Sequence, residues 1–221
     1  KMSEESDIVG DIFGWTGAVI AIYFFIAPCV PFIKVVKEEL NYKDSPGLLL
    51  IFSFMNCILW SIYGLLIDSS QVYTANGIGM AITLIWITIF LIYFAEKKIL
   101  FALLYNLLSI GVLIGIAFLF YYVVGADLTG IIVIVFNVLM YAGPGEKIYR
   151  VIKTGDYNLI PIFSTIGATL SSACWLMFGI YKGDLYIIIP NGLGLVFAFL
   201  QIFVYLTYYC KSKKEDNELK G

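Results

Sequence analysis

Residues 187–197 read IIIPNGLGLVF, and residues 74–80 read TANGIGM. In each, an asparagine and two glycines interrupt a run that otherwise has the composition of a membrane helix. An amide in hydrocarbon is costly unless something bonds it. Reading outward from both stretches turns the coincidence into a repeat. Ahead of the first lies PGLLLIFSFMNCILWSIYG from Pro46, and ahead of the second lies PIFSTIGATLSSACWLMFG from Pro161. Pro46, Trp60, Gly64, Asn76, Gly77 and Gly79 match Pro161, Trp175, Gly179, Asn191, Gly192 and Gly194, all at an offset of 115. Further upstream, Pro28 with Val36-Lys37 matches Pro144 with Ile152-Lys153 at an offset of 116.

The composition places both copies in a membrane. Of the 221 residues, 61% are hydrophobic and only 14% charged, against about 25% charged in a soluble domain. Residues 157–181 and 185–210 carry no charge at all, and from Pro46 to Ala95 the only one is Asp68. A crossing takes about 20 apolar residues. That ruler predicts seven helices, at 11–33, 46–67, 72–94, 99–122, 128–149, 159–181 and 186–209. Strand alternation is absent, which argues against a membrane barrel. The acidic start, KMSEESDIVG, lacks the basic region of a signal peptide, so the first span reads as a true helix.

Loop charge sets the topology. Twelve of the 14 basic residues fall after the first, third and seventh spans and around the junction of the fifth and sixth, leaving Lys1 and Lys182 on the other face. Positive loops stay inside, so the N-terminus is expected outside and the C-terminus in the cytoplasm. Three crossings reverse a chain, so two parallel copies need one extra crossing, and 99–122, which has no partner in the repeat, supplies it. The expected fold is an all-α membrane protein of 3 + 1 + 3 helices. Its parts are a first repeat over 1–95, a linker helix within 96–125, a second repeat over 126–210 and a cytoplasmic tail over 211–221.

These marks resemble the SWEET family of sugar transporters over about residues 11–209. That family is a standard example of parallel repeats with solute bound where the repeats meet. Asn76 and Asn191 are the leading candidates for solute contact. An amide offers donors and acceptors and stays neutral, which suits an uncharged polyhydroxylated solute. Tryptophan can stack on a sugar ring. The resemblance implies a pocket wall for Trp175, a place nearer the outer closure for Trp60, and a small pocket residue in Cys57 with Ser172 as its counterpart. Pro28, Pro46, Pro144 and Pro161 are expected as hinges, since proline loosens a helix, and the resemblance implies inner gating for them. Asp184 reads either as part of an outer gate or as a solvated loop acid. Asp68 stands where the family can offer a basic partner.

Other chemistry is excluded residue by residue. The chain has no histidine, and Cys29, Cys57, Cys174 and Cys210 lack metal-type spacing. No cofactor, metal or nucleic-acid partner is expected, and no enzymatic activity. No ionisable residue stands at the middle of a repeat helix, which favours facilitated diffusion over ion coupling. The expectation is a bidirectional uniporter for mono- or disaccharides in the plasma membrane, with an endomembrane and a homo-oligomer both compatible. A related proline–glutamine-loop transporter, or a seven-helix sorting receptor, is the alternative. The four glycines beside the asparagines read as points of close helix approach. Pro190 has no match in the first copy, where Ala75 stands.

Overall fold

The structure is a computed structural model that describes residues 4–26, 33, 37, 47–94 and 99–218. Every regular element among them is helical. In chain order these are α1 (Glu4–Ile26), α2 (Gly47–Leu66), α3 (Ser70–Phe94), α4 (Ile99–Leu119), α5 (Gly125–Met140), α6 (Ala142–Thr154), α7 (Ile162–Lys182) and α8 (Leu185–Glu218). Among the described residues, five stretches are long and apolar enough to cross a membrane, and Leu50–Leu66 is a shorter one. One of the five, Asn106–Thr154, is 49 residues long, more than twice a crossing. Gly125, at φ 77 and ψ 175, divides it by taking a backbone conformation that other residues avoid. Seven crossings are consistent with this division.

Several ends differ from the sequence expectation, each for a local reason. Helix α1 begins at Glu4 and not at 11; acidic residues in its first turns suit the positive end of the helix dipole. Helix α8 runs on past 209 through the lysine-rich segment to Glu218. The expected span 99–122 ends in a π-helical turn, Phe120–Val124. The span 128–149 is two helices that meet at Tyr141. Pro144 has no amide hydrogen for the Met140 carbonyl four residues back, so the ladder loosens there. The Tyr141 amide is shared between the carbonyls of Val138 (3.1 Å) and Asn137 (3.3 Å).

The repeat marks reappear as matched turns. The Ser69 amide donates to the Gly64 carbonyl at 2.8 Å, and the Asp184 amide donates to that of Gly179 at 2.9 Å. One residue earlier, Asp68 donates to Leu65 at 3.4 Å and Gly183 to Ile180 at 3.2 Å. This is the same Schellman closure twice, with Asp68 (φ 53) and Gly183 (φ 67) in the left-handed position. Gly64 and Gly179 are therefore helix-end residues over which the next helix folds back tightly. The Asp184 carboxylate then caps α8, accepting from the amides of Tyr186 (2.9 Å) and Ile187 (3.3 Å).

The chain divides into two compact units, Ala18–Val133 and Lys1–Gly17 with Ile134–Gly221. The dividing points, at 17/18 and 133/134, stand 116 residues apart, which is the repeat offset itself. In the first unit α2 and α3 form a hairpin whose core is Leu50, Phe54, Ile58, Ile62 and Ile87. The Asn106 amide of α4 donates to Thr88 Oγ1 on α3 at 3.0 Å. In the second unit α7 and α8 form the matching hairpin, and Val151, Ile160 and Val204 make a core with α6. The N-terminal half of α1 joins this second unit, where Asp11 and Asp7 meet Lys182 at 2.9 and 3.5 Å.

Candidate solute-binding site

Asn76 on α3 and Asn191 on α8 sit in the same local geometry. Each side-chain amide donates to the carbonyl four residues back on its own helix, Val72 at 2.9 Å and Ile187 at 2.8 Å. Each residue is half-buried. One donor is thus satisfied within the helix, and the bond fixes the rotamer. The second N–H donates to no described residue, and the side-chain carbonyl oxygen accepts from none. Neither asparagine is spent on a neighbouring helix, so a rigid amide head is left for something else.

The remaining candidates divide between the units. On α2, Cys57 and Trp60 are one turn apart and are both buried, at 0% and 8% exposure. On α7, Ser172 and Trp175 have the same spacing but are half-buried. The tryptophans share a contact, Trp60 edge-on to Tyr63 at 5.9 Å and Trp175 edge-on to Phe178 at 5.6 Å. Trp175 also lies on the backbone of α1 at Gly17, where a methyl group would come within 3.1 Å of the indole. The first copy of the pair is therefore packed away, while the second keeps an accessible edge.

The prolines do different jobs. Pro144 loosens the α5–α6 junction. Pro161 stands at the start of α7, where its carbonyl accepts from the amide and hydroxyl of Thr165 at 3.0 and 3.2 Å. Pro28 and Pro46, like Cys29, lie outside the described residues. Asp184 is a helix cap, as described above.

The glycines divide as well, and this corrects one expectation. Close approach holds at Gly79, where a methyl group would overlap the Phe25 ring, and at Gly194, where it would lie 2.8 Å from the Tyr141 hydroxyl and 2.9 Å from Ser172 Oγ. At Gly77 and Gly192 an added methyl group would meet nothing within 4 Å. These two, each next to an asparagine, border open space and are not packing contacts.

Sequence reasoning missed Tyr141 and Phe25. They are equivalent in the repeat, 116 residues apart, and pack on the equivalent glycines 194 and 79. The offset alone could have found them, but aromatic residues number 17% of the chain and carry little signal individually. The Tyr141 hydroxyl donates to the Pro190 carbonyl, and its ring stacks on Phe197 at 5.2 Å. Phe25 offers its backbone carbonyl to the Trp86 indole N–H at 2.9 Å.

Apolar helices, an internal repeat and a matched pair of half-free amides define an integral, multi-pass helical membrane protein. Comparison with known proteins specifies it further. The family described as "Sugar efflux transporter for intercellular exchange" matches this chain twice, at residues 11–98 and 127–214. The chain is 32% identical over 217 residues to the bidirectional sugar transporter SWEET5 of Arabidopsis thaliana, covering 94% of this chain and 89% of that protein. It is 31% identical over 233 residues to the bidirectional sugar transporter SWEET7b of Oryza sativa subsp. japonica, covering 97% and 84%. A solved structure of a eukaryotic SWEET transporter has the same fold, with a TM-score of 0.81, 24% identity and coverage of 94% of this chain and 100% of that one. The chain belongs to the SWEET family.

Proposed function

We propose that the protein is a sugar uniporter, moving mono- or disaccharides in either direction down their gradient by alternating access. The observation that carries this reading is the pair Asn76 and Asn191, each held by one bond to its own helix and each keeping a neutral donor and acceptor free. Relatives covering nearly the whole chain are named bidirectional sugar transporters. The repeat supports giving both asparagines the same task. Trp175 and Ser172 then stand as pocket residues, Cys57 is the buried counterpart of Ser172 in the first copy, and Trp60 stands nearer the outer closure. Asp184 closes the outer end through the α7–α8 turn it caps. The proline set supplies the hinges, for which the loosened junction before Pro144 is the local support.

The two family matches leave residues 99–126 between them, which supports a 3 + 1 + 3 order with a linker helix. The distribution of lysine and arginine supports an outer N-terminus and a cytoplasmic C-terminus in the plasma membrane. The absence of an ionisable residue from the middle of the repeat helices supports uniport.

Radiolabelled glucose and sucrose uptake into proteoliposomes tests the reading. Asn76→Ala and Asn191→Ala should each lower uptake at least tenfold, since a hydrogen-bonded polar contact removed from a site built for it costs heavily. Wild-type rates in both variants would remove the proposed site. Uptake abolished by collapsing a pH gradient would overturn uniport.

A further inference from the structure

Pro190 lies inside α8, directly before Asn191, and is fully buried. Proline has no amide hydrogen to donate to the helix and its ring crowds the preceding turn, so α8 is weakened at the turn that presents the asparagine. Tyr141 reaches the same turn from the α5–α6 junction. Its hydroxyl donates to the Pro190 carbonyl, rests against Gly194, and its ring stacks on Phe197 at 5.2 Å with planes 15° apart. Positions 190, 194 and 197 share one face of a helix. A single tyrosine therefore braces nearly two turns of α8.

The first copy lacks both the weakness and the brace. Ala75 stands in place of Pro190, and Phe25, which packs on Gly79, has no hydroxyl. Proline and tyrosine hydroxyl occur together in one copy and are missing together from the other. We propose that Tyr141 is a positioning residue for solute binding, its hydroxyl holding the proline-interrupted turn of α8 so that Asn191 stays aimed at the solute. This rests on the reading of Asn191 as a solute contact. Tyr141 also sits where the ladder before Pro144 is loosened, so movement at that junction is passed directly to the turn bearing Asn191.

Glucose and sucrose uptake kinetics in proteoliposomes, with protein amount measured, provide the test. Tyr141→Phe keeps the ring stack and removes one hydrogen bond, which should raise KM about fivefold and leave the maximal rate within about twofold. Gly194→Ala, which displaces the hydroxyl and also crowds Ser172, should raise KM at least as much and serves if Tyr141→Phe accumulates poorly. Adding Pro190→Ala to Tyr141→Phe should bring KM back toward the wild-type value, because an uninterrupted helix needs no brace. In an Asn191→Ala background, Tyr141→Phe should add nothing. A wild-type KM in Tyr141→Phe, a further loss on top of Asn191→Ala, or no rescue by Pro190→Ala would each overturn the proposal. A wild-type KM in Asn191→Ala itself would overturn the solute site, a distinct result.

Discussion

Helices α3 and α8 hold the same place in the two copies, and the same first-helix position packs on each. Phe25 lies against Gly79, and Tyr141 lies against Gly194. Both helices carry an asparagine tied to the carbonyl four residues back. Yet α3 is uninterrupted, whereas α8 carries a buried proline and an added hydrogen bond to offset it. The neighbouring hairpin partners differ in the same sense: Cys57 and Trp60 are buried, Ser172 and Trp175 are half-buried. A repeat thus preserves the backbone plan and the hydrogen-bonding heads. What it lets vary is how firmly each head is held and how much of its surroundings is open.

Substitution at matched glycines sharpens this contrast, and the largest effect is expected at the turns. A methyl group at Gly64 would stand 2.6 Å from the Tyr73 backbone nitrogen, whereas at Gly179 its nearest contacts are at 3.0–3.1 Å on Ile187 and Ile188. Gly64→Ala should cost about 3 kcal/mol and Gly179→Ala about 1 kcal/mol, read as unequal falls in the melting temperature of the purified protein. Equal falls would break the claim that the first hairpin is the tighter one.

A smaller effect separates glycines within α3. Gly79→Ala must push the Phe25 ring aside and should cost about 2 kcal/mol. Gly77→Ala meets open space and should stabilise the helix by about 0.5–1 kcal/mol. Thermal melts of the two variants decide it. Destabilisation at Gly77 would mean that the space beside Asn76 is filled in the folded protein.

The smallest difference concerns the caps. Asp184→Ala removes a carboxylate that accepts from two amides of α8, and should lower stability by about 1 kcal/mol. Its repeat mate Ser69 directs its hydroxyl to Gln71 Oε1 at 3.4 Å and caps no amide, so Ser69→Ala should cost only about 0.3 kcal/mol. Chemical denaturation in detergent would measure both. A larger loss at Ser69 would reverse the order of the two turns.

Much of this molecule could be read before any coordinates. Long uncharged runs reveal membrane helices because hydrocarbon tolerates little else, and Pro46/Pro161, Trp60/Trp175 and Asn76/Asn191 reveal the repeat because identical marks at one offset are independent of packing. The candidate amides were legible for the same reason, since an asparagine in an apolar run is conspicuous wherever it points. The sequence left Asp68 as an acid where the family can offer a basic partner, and Asp184 as a gate or loop residue. In the fold, the first is the left-handed residue that closes α2 and the second is the cap of α8. Charge at a loop says nothing of backbone geometry.

The sequence by itself determined the class, the repeat and the two asparagines, because hydropathy and residue identity at fixed spacing are properties of the chain alone. Only the tertiary structure decided which glycines are crowded, where the fifth span breaks and what Pro190 is paired with. Those depend on which side chain from another helix arrives at a given turn. Tyr141 is 49 residues from Pro190, and no local pattern in the sequence joins them.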